Sequence, residues 1–176
     1  MFYLFLAEGF EEIEALATVD ILRRANVPVL TVGVTGETVE GSHGICVVPD
    51  IQMNQVEPDK MEGIILPGGL PGTLHLQKDD RLSSLLDFAA ENQLWMFAIC
   101  AAPLILGEKG FLSEKKATCY PGFEKHLHGA ILGNGVCRDG KIITAQGAGF
   151  ALPFAYAILD AIGIDSSSLK KDMLYE

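Results

Sequence analysis

Leu94-Trp95-Met96-Phe97-Ala98-Ile99-Cys100-Ala101-Ala102-Pro103 is the stretch that decides the fold. It opens as an unbroken apolar run, the pattern of a strand buried on both faces of a parallel sheet. One cysteine, two alanines and a proline follow, and the apolar pattern resumes at Leu104-Ile105-Leu106. Proline fits the first turn of a helix, where its missing N–H is no loss. The stretch therefore reads as strand, sharp turn and helix, with Cys100 on the turn. Ala98 and Ala102 stand two residues to either side, where nucleophile elbows of the G-x-S-x-G type need small residues. A thiol at that point faces a helix N-terminus, whose partial positive charge favours thiolate. A buried structural cysteine is the competing reading, and the stretch alone allows both.

Working outward, the same alternation runs along the whole chain. Phe2–Ala7 reads as a first buried strand, followed by a turn at Glu8-Gly9 and a helix from Phe10. Glu11, Glu12 and Glu14 fall in its first turns, where negative charge complements the dipole. Ile13, Leu16, Ala17 and Ile21 form its expected apolar stripe. Arg23, Arg24 and Asn26 close it, and Val27–Val34 follows as a strand, completing a βαβ unit. Thr35–Gly44 is polar and turn-rich, Ile45–Val48 is a short strand, and Gln52–Lys60 reads as a short helix and loop. Gly63–Leu66 is a buried strand ending in Pro67-Gly68-Gly69. Leu82, Leu85, Leu86 and Ala89 mark an amphipathic helix over Asp79–Asn92. Lys115–Pro121 reads as a short strand and turn. Asp139-Gly140 between two apolar runs signals a hairpin. A helix is expected from Phe150 to Ile162, and Asp165–Glu176 is expected to pack as a last short helix or to fray.

Strands alternating with helices predict an α/β fold, a mostly parallel sheet with helices on both faces, in one domain over residues 1–176. Sites in such sheets lie beyond the C-terminal strand ends, near a switch point in strand order. Gly9–Glu14, Pro67–Gly69 and Cys100 all fall there, and the fold class predicts that they converge.

Composition narrows the function classes. The formal charge of −10 repels phosphate backbones and anionic lipid, so neither nucleic acid nor a membrane surface is an expected partner. No apolar run is long enough to span a bilayer, and the N-terminus lacks the basic leader of a signal peptide, so the expected location is the cytoplasm. Cys46, Cys100, Cys119 and Cys137 form no Cys-x-x-Cys pair, so neither a metal site nor a disulfide framework is expected. His43, His75, His126 and His128 have no ligand spacing with an acidic partner and read as surface residues.

Three residue sets could carry chemistry with Cys100. Gly68-Gly69 lets the backbone approach a ligand and expose N–H groups, and with the Ala101 amide it could hold an oxyanion. The competing reading is a tight turn. Glu14 borders the buried stripe, so it is the candidate partner of the thiol, whereas Glu11 and Glu12 read as solvated helix-start charges. A charged carboxylate beside a thiolate would raise the thiol pKa, while a protonated carboxyl would donate to the sulfur. A desolvated Glu14 is therefore expected to be neutral while Cys100 carries the charge, and the two should titrate as a coupled pair.

Together these residues resemble the ThiJ/PfpI superfamily, most closely the branch of the parkinsonism-associated protein and its bacterial relatives. The likeness runs in order through Ala7–Glu14, Val19–Ala25, Leu66–Gly69, Ala98–Pro103 and Gly147–Gly149. It implies a flavodoxin-like three-layer sandwich, usually homodimeric, with no cofactor. It implies Cys100 as nucleophile, Glu14 as its carboxyl partner, and Gly69 and Ala101 as oxyanion donors. Where many members carry a histidine near the cysteine, Tyr120 stands here, expected as a hydrogen-bond donor in place of a base. The protease-like branch has histidine directly after the cysteine, and here that residue is Ala101. Amidotransferases of similar fold carry a late histidine and glutamate, and Gly149–Pro153 holds neither. A Cys-His hydrolase or amidotransferase is therefore disfavoured. The resemblance implies weak glyoxalase or deglycase chemistry on a small aldehyde such as methylglyoxal, or on a glycated protein. The alternative is a redox-sensing, stress-protective protein or chaperone in which Cys100 stops at the sulfinate.

Overall fold

The computed structural model describes residues 1–175. In chain order the elements are β1 (Phe2–Leu6), α1 (Glu12–Arg24), β2 (Val29–Gly33), β3 (Val39–Glu40), β4 (Cys46–Val47) and β5 (Ile51–Gln52). Then come β6 (Gly63–Leu66), α2 (Gly72–Lys78), α3 (Asp80–Glu91), β7 (Trp95–Ile99), α4 (Pro103–Glu108) and β8 (Lys116–Ala117). The chain ends with β9 (Ile131–Leu132), β10 (Val136–Asp139), β11 (Ile142–Ala145), α5 (Ala151–Ala161) and α6 (Ser167–Asp172). Seven strands form one sheet in the order β10-β11-β7-β6-β1-β2-β5. All neighbours in it are parallel except the β10–β11 hairpin.

Period-2 alternation builds the layers. Phe2, Leu4 and Leu6 of β1 face one apolar cluster, which contains Ile21 and Leu22 of α1 and Phe154, Ile158 and Leu159 of α5. Tyr3 and Phe5 face the other, with Leu76 of α2, Leu82 and Leu86 of α3, and Leu104 and Leu106 of α4. The product is the expected flavodoxin-like three-layer α/β fold. Strand order reverses between β1 and β6, because α1 crosses one face of the sheet and α2–α3 the other. The C-terminal ends of β1, β6 and β7 meet at that switch point.

Helix α1 departs from its expected stripe. Ile13 is 58% exposed and Leu16 is 36% exposed, while Glu12, Glu14, Ala15, Thr18, Val19, Ile21 and Leu22 are buried. Of the expected residues only Ile21 faces the core. The cause is at the N-terminus, where the helix is rotated to bring two carboxyl groups inward, and apolar periodicity carries no sign of that. The expected short strands at Ile45–Val48 and Lys115–Pro121 are β4 and β8, whereas their partners β3 and β9, and helix α2, are too short to show a period and carry no signal in the sequence. Most long elements fall within two residues of their sequence-based limits, although α1 begins at Glu12, not Phe10. The tail forms α6 over Ser167–Asp172, and Glu176 lies outside the described residues.

Candidate active site

Cys100 follows directly on β7 and adds one rung to its ladder, its N–H donating to Ala145 O at 2.9 Å. Its φ is +65°, in the left-handed region. A non-glycine residue there costs on the order of 1–2 kcal/mol, which the surroundings must offset. They do so by holding the backbone on both sides: the ladder bond fixes the N–H, and Tyr120 N–H donates to Cys100 O at 2.7 Å. The elbow expected from the sequence is thus a strained turn between β7 and α4.

Glu14 reaches the same point from α1. The helix is capped by Glu11, whose Oε2 accepts from Glu14 N–H at 2.7 Å. Glu11 N–H in turn donates to Gly68 O at 2.9 Å, tying the helix start to the loop after β6. The Glu14 side chain turns inward, and its Oε2 accepts from Gly68 N–H at 2.8 Å. Gly68 has to be glycine. A Cβ there would stand 2.5 Å from Cys100 Cβ, 2.7 Å from Glu14 Oε2 and 3.0 Å from Cys100 Sγ. Thiol and carboxyl therefore flank one point, brought together by the ends of three segments far apart in sequence. Glu14 Oε1 is buried and has no hydrogen-bond partner among the described residues.

The electrostatics follow from that burial. Desolvation raises the Glu14 pKa to about 7, against the opposing pull of Gly68 N–H and the Cys100 thiol. Burial, then the charge of an ionised Glu14 and its hydrogen bond, push the Cys100 thiol up to about 12. The amides of Gly69 and Ala101 face the sulfur and pull the other way. Two negative charges are thus disfavoured: above about 7 the pair keeps one proton, and both shifts place it on the sulfur, the reverse of the expected neutral Glu14 and charged Cys100. When Glu14 keeps that proton, the charge that raises the thiol is gone and the two amides favour thiolate.

The remaining candidates fall differently. Gly69 and Ala101 line the sulfur, but the Gly68 N–H is engaged by Glu14 and is not free for an oxyanion. Tyr120 is half exposed, and its ring packs over Gly147, where a Cβ would stand 3.2 Å from Tyr120 Cδ2. Its hydroxyl makes no hydrogen bond among the described residues. Glu12 is not a solvated charge. It is 3% exposed, and its Oε1 accepts from His43 N–H at 2.7 Å while its Oε2 meets His43 Nδ1 at 2.7 Å. Nor are the histidines without acidic partners, since His126 and His128 both meet the Glu108 carboxylate, at 2.7 and 3.3 Å. No hydrogen bond joins a histidine to Cys100 among the described residues. Glu11, Glu12 and His43 could offer ligand atoms within 4.8 Å of one another. Both Glu12 oxygens are already used within the protein, so the group works as a clamp on the loop before β4.

The model of the DJ-1/PfpI family matches residues 2–161, nearly the whole chain. The chain belongs to the DJ-1/PfpI family. Protein dj-1beta of Drosophila melanogaster is 35% identical over 161 residues, which cover 89% of this chain and 86% of that protein. A Caenorhabditis elegans relative named glutathione-independent glyoxalase DJR-1.2 is 32% identical, over 88% of this chain and 84% of its own. Among solved structures, oxidized DJ-1 of Toxoplasma gondii superposes with a TM-score of 0.93 at 31% identity, covering 98% of this chain and 97% of that one. Family membership agrees with the three-layer sheet. No helix among the described residues is long and apolar enough to cross a membrane.

Proposed function

We propose that this DJ-1/PfpI protein converts small α-oxoaldehydes to 2-hydroxy acids through Cys100 and Glu14, without glutathione. The observation that carries the reading is the shared point between the thiol and a carboxyl whose pKa lies at about 7. A group poised near neutrality can both give and take a proton in one cycle. The Cys100 thiolate attacks the aldehyde carbon, forming a C–S bond, and the carbonyl π pair moves to oxygen, which takes the proton of Glu14. The Glu14 carboxylate then removes the hydrogen on that carbon as a proton and returns it to the neighbouring carbonyl carbon through an enediol. The thioester that results is hydrolysed by water, freeing the thiol. Methylglyoxal plus water gives lactate, with oxidation at one carbon balanced by reduction at the next. The amides of Gly69 and Ala101 supply donors where the oxyanion develops. The glyoxalase name of the worm relative supports the same chemistry. The test is turnover of methylglyoxal by the purified protein with Cys100→Ser as control. Lactate formed by the parent and not by the variant is the expected result, and no lactate from either overturns the reading.

A second reading uses the same atoms, and the orphaned Glu14 Oε1 favours it. A Cys100 thiolate meeting two equivalents of peroxide would pass through sulfenate to sulfinate, releasing two waters. Peroxide treatment followed by peptide mass mapping should then show two added oxygens at Cys100 before any at Cys46, Cys119 or Cys137. The exposed apolar residues Ile13 and Leu16 of α1, and Ile45 and Val48 near β4, fit a homodimer contact with a second copy of this chain. Sedimentation at micromolar concentration tests that, and monomer alone would refute it.

A further inference from the structure

An open cavity of about 260 Å³ lies beside the nucleophile, walled by Tyr120, Pro121, Gln146, Gly147, Ala148, Gly149 and Phe150. Two of its walls are aromatic rings at the surface, Tyr120 at 51% and Phe150 at 37% exposure. No wall carries a charge. Gly147 is the threshold between cavity and sulfur. A Cβ there would stand 3.9 Å from Cys100 Sγ and would press on the Tyr120 ring, so a glycine keeps the passage open.

The walls are anchored. Phe150 N–H donates to Gly147 O at 2.7 Å, and the Tyr120 backbone is bound to Cys100 O. Gln146 Oε1 accepts from Gly135 N–H at 2.8 Å, and the Phe150 ring lies against Gly135.

We infer that this cavity is a substrate subsite that receives the substituent of the α-oxoaldehyde and selects uncharged aromatic or bulky apolar groups over hydrogen or methyl. The inference rests on the carbonyl chemistry proposed above and names its substrate class. The substituent sits on the carbonyl carbon next to the one that bonds to Sγ, within reach of Gly147 and so between the two rings. Flat apolar groups gain from burial against aromatic walls, whereas a phosphorylated or carboxylated substituent would lose its water with no cation to replace it. Hydrogen, as in glyoxal, would leave the cavity unused.

The experiment compares kcat/KM for phenylglyoxal and methylglyoxal in the parent, in Phe150→Ala, and in Ala148→Leu, which narrows the cavity from another wall. The ratio within each variant cancels any loss of folded protein, and comparing that ratio with the parent's cancels the different intrinsic reactivities of the two aldehydes. A second measurement needs no turnover: alkylation of Cys100 by phenacyl chloride against chloroacetone, where thiolate displaces chloride. The phenyl-to-methyl preference should fall at least fivefold in both variants, in turnover and in alkylation alike. If no aldehyde turns over but the alkylation preference still falls in both variants, the subsite stands and the glyoxalase reading fails. If turnover is present and neither ratio moves in either variant, the subsite is overturned and the glyoxalase reading survives.

Discussion

Glu12 and Glu14 sit two residues apart on the first turn of α1, both nearly inaccessible to water, and they are driven in opposite directions. Burial raises both. At Glu12 it is outweighed by the His43 side chain, the His43 and Ile45 amides and the helix start, so the carboxyl falls to about 2. At Glu14 one amide and a thiol oppose it, and the carboxyl rises to about 7. The contrast teaches that partners, not depth, decide whether a buried acid is a fixed charge or a proton carrier. Glu12 is held ionised and fixes a loop. Glu14 is left with an orphaned oxygen and can exchange its proton at neutral pH.

Activity should separate the two most sharply. Cys100→Ser should abolish turnover of α-oxoaldehydes. Glu14→Gln, which keeps an acceptor for Gly68 but has no exchangeable acid, should lower kcat/KM more than tenfold, above about 1.4 kcal/mol of barrier. Glu12→Gln should lower it only a few-fold, since that carboxyl faces His43 and not the sulfur. Steady-state kinetics on the three variants checks this, and an equal loss in Glu12→Gln and Glu14→Gln would erase the distinction.

Stability against pH comes next in size, and the two acids should bend it in opposite senses. Glu14 has its folded pKa raised from 4.5 to about 7, so the folded state binds the extra proton in that window. Stability should therefore fall as pH rises from 4.5 to 7, by roughly 3 kcal/mol at most. Glu12 has its folded pKa lowered from 4.5 to about 2, so its contribution is present above 4.5 and lost as pH falls toward 2. Urea unfolding across pH 2–8 should show the upper slope vanish in Glu14→Gln and the lower slope flatten in Glu12→Gln. An unchanged upper slope in Glu14→Gln would mean that the proton shared with Cys100 is not held by that carboxyl.

The sequence made one of these acids legible and hid the other. Glu14 could be singled out because it borders Ile13, yet that argument used a stripe that faces solvent; the residue was found beside the wrong face. Glu12 could not be found, since its burial depends on His43, 31 residues away, and on a two-residue β3–β4 ladder with no period of its own. The sheet was readable because β1, β6 and β7 are long apolar runs buried on both faces. Gly68-Gly69 could be seen as a close approach, but which N–H faced which acceptor needed the fold. The Tyr120–Phe150 cavity is formed by two loops that converge only when β11 lies beside β7, so no local pattern announces it.

A smaller effect tests the clamp itself. The carboxylate of Glu12 raises the pKa of His43, so the pair's contribution is full below the ordinary histidine value of 6.5 and is lost as pH rises through the raised one. His43→Gln should therefore destabilise the protein more at pH 6 than at pH 9, by a margin within that of an exposed ion pair. Equal destabilisation at both values would mean that the backbone bonds to Glu12 alone hold the corner.

The smallest effect is expected at Tyr120. A phenolic hydroxyl can donate a hydrogen bond but does not serve as a base in the way an imidazole does. In the structure the hydroxyl has no partner among the described residues, and the ring is what packs, against Gly147 beside the sulfur. Proton transfer then falls to Glu14 and water, with the second base of a Cys-His pair lacking. A positioned base contributes roughly a hundredfold or more, so turnover should be slow for a thiol enzyme. Tyr120→Phe keeps the ring and removes only the hydroxyl, and should change kcat/KM for methylglyoxal no more than a few-fold, with the phenylglyoxal preference retained. A loss as deep as that of Glu14→Gln would make Tyr120 a catalytic acid, and the division of labour drawn between the two glutamates would have to be redrawn around the phenol.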